Sequence, residues 1–209
     1  ISSILTSVAG TSMLLLLVLT MVVSLIMGMG VPTTAAYLVL ASLVAPTMIQ
    51  LGIPPLAAHM FIFYFGCISS ITPPVALAAY AGAGLAGCDP NKTGYKAFRL
   101  AFCSFLMPYL FVYNPVLLME GGVLDILWSL VTALIGAYLL ASGFEGFFFR
   151  WSLKWFERPL MILGAVMLIV PGMVTDLVGI AIIVVEFVTE FMFKRSEKFV
   201  PVTVSQSTT

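Results

Sequence analysis

The sequence predicts an all-α integral membrane protein: a re-entrant helical hairpin, a discontinuous transmembrane helix and further spans, followed by a C-terminal helical extension. Three observations carry this expectation. First, 61% of residues are hydrophobic and 9% charged, whereas a soluble domain carries about 25% charged residues. Second, the charges are segregated. No Asp, Glu, Lys or Arg occurs from Ile1 to Cys88, and all nine basic and nine acidic residues lie between Asp89 and Lys198. Third, the apolar runs are punctuated by Gly and Pro rather than by polar loops, as in "GMGVPTT" (28–34) and "ISSITPP" (68–74).

Each element follows from length and punctuation, against the ~20 apolar residues a spanning helix needs. Residues 11–50 read as two apolar arms about a Gly/Pro tip at 28–33, and "QLGIPP" (50–55) as a turn. Residues 56–87 read as one helix interrupted at 69–74. "CDPNKTGYKAFR" (88–99) is a polar loop with a short surface helix. Residues 100–119 are expected to form a span, 120–125 a turn, and 126–142 a further span. Residues 144–158 mix Arg150, Lys154 and Arg158 with seven aromatic residues, the composition of a helix lying in the headgroup plane. Residues 160–170 and 177–193 form a helical hairpin turning at 171–176, and the tail at 200–209 is disordered. Two domains result, 1–120 and 121–199. The chain opens at Ile1 in apolar sequence without a basic leader, so it reads as the C-terminal piece of a longer protein.

Basic residues set the orientation. The loop with Lys92, Lys96 and Arg99 is cytoplasmic, and the turn with Glu120 and Asp125 is outside. The segment with Arg150, Lys154 and Arg158 and the tail with Lys194, Arg195 and Lys198 return inside. The tip at 28–33 carries no Lys or Arg, which favours a hairpin dipping in from outside over two full spans.

Broken backbone in hydrocarbon costs several kcal/mol per unsatisfied group and persists where it is packed in protein or lines a cavity. A break also creates helix ends, whose N-terminal N–H groups favour anions and whose freed carbonyls favour cations. Secondary transporters build midplane sites this way. The first break offers Gly28 and Gly30, whose backbone can approach closely, and the hydroxyls of Thr33 and Thr34. The second offers Ser69, Ser70 and Thr72, followed by Pro73 and Pro74. Because proline suits a first helical turn, new half-helices are expected to start at 32–34 and at 73–74.

The stretch "GMGVPTTAAYLVLASLVAPTMIQLGIPPLAAHMFIFYFGCISSITPPVALAAYAGAGLAG" resembles the C-terminal half of the large permease subunit of TRAP (tripartite ATP-independent periplasmic) transporters. The pattern is a Gly-rich turn, Pro-Thr, an apolar helix, an "LGI" turn and a helix interrupted by "TPP". The resemblance covers about residues 11–120 and looks most like the fused permeases of the TAXI subtype. It implies the second inverted repeat of an elevator-type importer in the bacterial inner (cytoplasmic) membrane, multi-pass. Sodium is then the coupling ion, no cofactor is needed, and the substrate is an organic acid. A periplasmic solute-binding protein delivers the substrate, and a small membrane subunit or its fused equivalent is a further partner. The implied sodium ligands lie at Gly28, Gly30, Ser69, Ser70 and Thr72, and the implied substrate contacts at Thr33, Thr34, Thr72, Pro73 and Pro74. Many members carry an Asp near the first turn where this chain has Val31, and "TPPVGLNLF" where it has "TPPVALAAY", which leaves the substrate open.

Other chemistry finds little support. "GAGLAG" (82–87) fits the dinucleotide fingerprint, but it ends an apolar helix instead of following a strand; small residues for close helix packing are the expectation. Cys67, Cys88 and Cys103 have no paired spacing, and with His59 the one histidine a zinc site lacks ligands; three free, mostly buried thiols are expected. His59 itself reads as an interfacial side chain. An intramembrane hydrolase would need a nucleophile–base pair or facing carboxylates, and no carboxylate precedes Asp89. The chain is therefore read as a non-enzyme without a nucleic-acid partner. A non-transporting membrane scaffold or assembly subunit is the alternative; such a protein has no use for two hydroxyl-rich breaks.

Overall fold

The computed structural model describes residues 12–148, 151–170 and 172–193. The chain divides into two compact units, one ending at Leu130 and the other beginning at Val131.

In the first unit, α1 (Met13–Gly28) starts on Ser12, whose side chain accepts from the Leu15 amide. It ends where Met29 turns extended and Gly30 takes φ +75°, a left-handed conformation that glycine adopts without a Cβ penalty. Pro32 then caps α2 (Thr33–Leu43), which runs through Val44 into α3 (Ala45–Gln50). Pro54 and Pro55 open α4 (Pro55–Ile68), as fixed φ favours at a helix start. One 3-10 turn, Ser69–Ile71, follows, and regular structure resumes only at α5 (Leu77–Ala86). The second half-helix therefore starts three residues beyond Pro74, not at 73–74. Ala76, at φ +35°, absorbs the change of direction.

Gly87 ends α5 in the left-handed region, and Asp89 caps α6 (Pro90–Ala101) by accepting from the Lys92 amide at 2.8 Å. The single span expected at 100–119 is not continuous. A 3-10 stretch (Phe102–Leu106), α7 (Met107–Tyr113) and a second 3-10 turn (Pro115–Leu118) replace it. Proline explains the second interruption: Pro115 drives Asn114 to φ −134°, ψ 81°, because the residue before a proline is pushed out of the α region. α8 (Val123–Glu145) then starts within the expected 120–125 turn.

The core of this unit forms around α4. Phe61, Ile62 and Phe65 are fully buried among Leu16, Leu17, Leu40, Met48 and Val112. Phe61 meets Phe65 and Tyr109 edge-on at centroid distances of 4.9 and 5.2 Å, a geometry that adds about 0.5–1.5 kcal/mol per pair beyond burial. Tyr109 also reaches across to Met21 Sδ at 3.2 Å, tying α7 to α1. By length and composition, α8 with 23 residues is the one helix among the described residues long and apolar enough to cross a membrane. α1 has 16 and α4 has 14.

In the second unit, α8 ends at Glu145 and Gly146 takes φ +74°. Phe147 pairs with Ser152 and Phe148 with Trp151 in a short antiparallel ladder, closed by the Leu153 amide on Gly146 O at 2.8 Å. The helix expected over 144–158 is thus replaced by a turn and a hairpin. The left-handed glycine stops α8, and consecutive aromatic residues favour extended backbone. The aromatic and basic composition suggested a headgroup helix, although it carried no 3.6-residue period.

α9 (Glu157–Ile169) and α10 (Met173–Phe193) follow and pack closely. A Cβ at Gly179 would stand 2.8 Å from Leu168 Cγ and 3.1 Å from Gly164 O, so small residues set the approach, as in membrane helix pairs. Their connection spans 170–172, shorter than the expected 171–176 turn, because Thr175 folds back onto Gly172 O at 2.6 Å inside the first turn of α10. Arg150 and the tail from Lys194, including 200–209, lie outside the described residues.

Candidate functional site

The two sequence breaks meet in space. A methyl built on Gly28, the last residue of α1, would overlap Ser69 Oγ, and it would lie 3.0 Å from Ser69 Cβ and 3.3 Å from Gly66 O. A methyl on Gly30 would lie 3.7 Å from Val75 Cγ1. The absence of a side chain at Gly28 therefore lets the end of α1 rest directly on the end of α4. Of the residues expected to share one site, Gly28 is brought onto Ser69, whereas Gly30 faces Val75 just beyond the second break.

The hydroxyls of the second break point back onto their own helix. Ser69 Oγ donates to Gly66 O at 2.6 Å, Ser70 Oγ to Cys67 O at 2.7 Å and Thr72 Oγ1 to Ile68 O at 2.8 Å. These are carbonyls of the last turn of α4, and Cys67 O also takes the Ser69 amide. Each hydroxyl spends its proton there and keeps lone pairs to accept or to coordinate. Ser69 and Thr72 are buried and Ser70 is half-buried. Further carbonyl groups are turned locally: Ser69 O accepts from the Thr72 amide at 3.2 Å, and Thr72 O from the Ala76 amide at 3.2 Å. Tyr80 OH reaches Pro74 O at 2.8 Å and holds the break against α5.

Thr33 and Thr34 are exposed in the first turn of α2, where the leading amides have no intrahelical acceptor. The corresponding turn of α5 is at Leu77. Pro73 is half-buried and Pro74 exposed. The arrangement offers neutral oxygens at the α4 end and free amides at two helix starts, which are the chemistries for a cation and an anion respectively.

Sequence reasoning missed two groups beside this site. Thr20 and Ser24 sit two turns and one turn before Gly28 on the same face of α1, are fully buried, and have hydroxyls without a hydrogen-bond partner. Asn114 Oδ1 is likewise buried and unpartnered. The i, i+4 spacing of Thr20, Ser24 and Gly28 was a readable signal; the proline after Asn114 was another.

The remaining single residues resolve as follows. His59 Nδ1 and Tyr37 OH form a hydrogen bond at 3.1 Å and both are half-buried. Gly82 and Gly84 are exposed, and a Cβ at either meets no atom of the described residues within 4 Å; they do not serve the close packing expected of "GAGLAG". The three cysteines are free, with Cys67 and Cys103 half-buried and Cys88 exposed, so the expectation of mostly buried thiols fails at Cys88. Among the described residues no group of three His, Cys, Asp or Glu side chains is placed to hold a metal.

A family model described as the tripartite ATP-independent periplasmic transporter, DctM component, matches residues 1–126. The matched segment contains both breaks and ends within the first turn of α8. Comparison with curated proteins gives no match, and comparison with solved structures gives none.

Proposed function

Because the chain belongs to the DctM component family of the tripartite ATP-independent periplasmic transporters, we propose that its two apposed breaks form one half of a sodium-coupled site for an organic acid anion. The coarse function, a permease component of a membrane transporter rather than an enzyme, follows from membership in the family. The finer reading has the chain as the C-terminal half of a TAXI-type fused permease, multi-pass in the bacterial inner membrane, fed by a periplasmic solute-binding protein. A small membrane subunit, or its fused equivalent, completes the assembly.

The observation that carries this reading is the seating of Gly28 on Ser69. It concentrates broken backbone from two helices at one place, and neither break carries a charged residue of its own. A cation there is held by neutral oxygens: carbonyls at 28–30 and 69–71, with the lone pairs of Ser70 and Thr72 Oγ. A substrate carboxylate meets the free amides and hydroxyls of Thr33 and Thr34 and lies along Thr72, Pro73 and Pro74. Sodium binds first in this scheme. It neutralises the converging carbonyl dipoles and so raises the affinity for the anion, and the same coupling makes the anion strengthen sodium binding.

The test is uptake against sodium concentration at fixed substrate, in the full-length protein with its binding protein. Thr72→Ala and Ser70→Ala are expected to raise the sodium concentration for half-maximal uptake. One lost ligand costs about 1–3 kcal/mol, or about 5- to 150-fold. Sodium-independent uptake by the parent, or unchanged sodium dependence in both variants, overturns the assignment.

A further inference from the structure

We infer that the groove between the last turns of α8 and the first turns of α9 holds an acidic phospholipid, with its phosphate on the Arg158 guanidinium and an acyl chain along the groove.

The groove has a volume of about 460 Å³ and is walled by Phe144 on α8 and by Ile162, Leu163 and Val166 on α9. Arg158 and Trp155 also line it. The guanidinium lies flat on the backbone of Gly146: a methyl there would overlap Nη2 and Cζ. Only a residue without a side chain leaves that room, and Gly146 also needs φ +74°. The chain thus fixes an arginine in place, yet Nε is buried without a hydrogen-bond acceptor. A buried donor left unpaired is costly, more so when it belongs to a cation. The planar fork of arginine matches a phosphate in two parallel bonds.

The surroundings favour an anion attached to an apolar tail over an anion alone. Leu163 is 49% exposed and Val166 37%, so a long apolar edge leads away from the arginine. A free phosphate has no use for that edge. Just before the arginine in the chain, Lys154 stands 5.9 Å over the ring of Phe156, and Trp155 is 86% exposed. Lys, Trp and Phe in this order suit headgroup depth. The nearby acid Glu157 turns Oε2 onto the Lys154 amide at 2.6 Å, and Glu145 closes α8 as an exposed residue. Three basic residues, Arg150, Lys154 and Arg158, fall within this stretch, which selects an acidic headgroup over a zwitterionic one. The groove lies beyond the 1–126 segment matched by the family, so it gives the C-terminal extension a role of its own: anchoring in, and sensing of, an acidic leaflet.

The experiment uses full-length protein, stripped of lipid in detergent and offered phosphatidylglycerol or phosphatidylcholine, with retained lipid counted by native mass spectrometry. The parent is expected to keep phosphatidylglycerol in preference to phosphatidylcholine. Arg158→Gln is expected to weaken that retention about tenfold or more, as loss of a bidentate charged contact should, with Arg158→Lys intermediate. Leu163→Trp, which fills the groove and leaves the arginine in place, is expected to abolish retention even where Arg158→Gln fails to fold. Equal retention of the two lipids by the parent, or undiminished retention by Leu163→Trp, overturns the inference. So does thermal stabilisation of the parent by inorganic phosphate as large as that by phosphatidylglycerol, which marks a free-anion site. Cross-linking from Leu163→Cys to protein instead of to a photoactivatable phosphatidylglycerol marks a groove filled by another helix, and also overturns it.

Discussion

Replacing Gly28 by Ala should drive the two breaks apart. The added methyl overlaps Ser69 Oγ and stands 3.0 Å from Ser69 Cβ and 3.3 Å from Gly66 O. Ser69 has no room to yield: it is 1% exposed and its hydroxyl is held on Gly66 O at 2.6 Å. Two effects compete. Alanine in a helix gains up to about 1 kcal/mol over glycine, whereas forcing a methyl into a packed contact costs about 1–3 kcal/mol. At the last residue of α1 the propensity gain is at its smallest, so a net loss of about 1–2 kcal/mol is expected. Unfolding of the purified full-length protein in detergent, followed by tryptophan emission, measures it. Sodium-dependent uptake, measured alongside, should fall more steeply than stability, because the same methyl displaces the carbonyls proposed to hold the ion. Ser69→Gly on its own loses the hydroxyl contact and stiffness. Combined with Gly28→Ala it restores the room, so the loss in the double variant should fall short of the sum of the single losses by about 1 kcal/mol or more. Parent-like stability and uptake in Gly28→Ala, or additivity within about 0.3–0.5 kcal/mol in the cycle, refutes the contact and the site drawn from it.

Cys88 is exposed just before the α6 cap, and the basic residues of α6 predict a cytoplasmic position for it; an impermeant thiol reagent should label it in inverted vesicles and not in intact cells, and the reverse pattern overturns the orientation. Thr20→Val removes a fully buried hydroxyl that has no partner, so it should leave stability unchanged or raise it by about 1 kcal/mol; a loss of that size would mean that the hydroxyl binds a water or ion that matters to the fold.

What was legible in the sequence was punctuation. Gly28, Gly30 and Pro32 marked the first break, because a left-handed residue and a missing amide each stop a helix by local sterics alone. Asp89 before Pro90 was a cap signal of the same local kind, although 88–99 reads only as a loop with a short surface helix, where a helix of 12 residues forms. The elements misread were those where two local signals compete. In 100–119 the apolar run outweighed Pro108 and Pro115, although the latter takes Asn114 out of the α region. In 144–158 composition outweighed Gly146 and the run of phenylalanines. Pairing between distant segments was not legible at all. That Gly28 lands on Ser69, some forty residues on, depends on how α1 and α4 pack; no local rule encodes that contact. It was inferred only through resemblance. Thr20 and Ser24 show the same limit: their spacing is readable, but full burial without a partner is a property of the packed pair.

The hydroxyl geometry at the second break sharpens what the serine and threonine variants mean. Read as a list, Ser69, Ser70 and Thr72 are three free hydroxyls. In the structure each has already donated its proton to Gly66 O, Cys67 O or Ile68 O. Their remaining capacity is that of acceptors, so they favour a cation over an anion at this end of α4. An alanine at Ser70 removes one lone-pair donor and at the same time frees one lone pair of Cys67 O, which keeps the Ser69 amide and can offer the freed pair to the ion. An alanine at Thr72 bares Ile68 O, but Thr72 is also at the start of the non-helical segment and its own carbonyl holds the Ala76 amide at 3.2 Å. The loss at 72 has fewer ways to be made good. The sodium requirement should therefore rise further in Thr72→Ala than in Ser70→Ala. Thr72→Ser, which keeps the oxygen and its proton, should return it close to the parent, whereas Thr72→Val, with the same shape and no oxygen, should match alanine. Equal effects of serine and valine at 72 would assign the residue to packing, and would remove it from the proposed ion site.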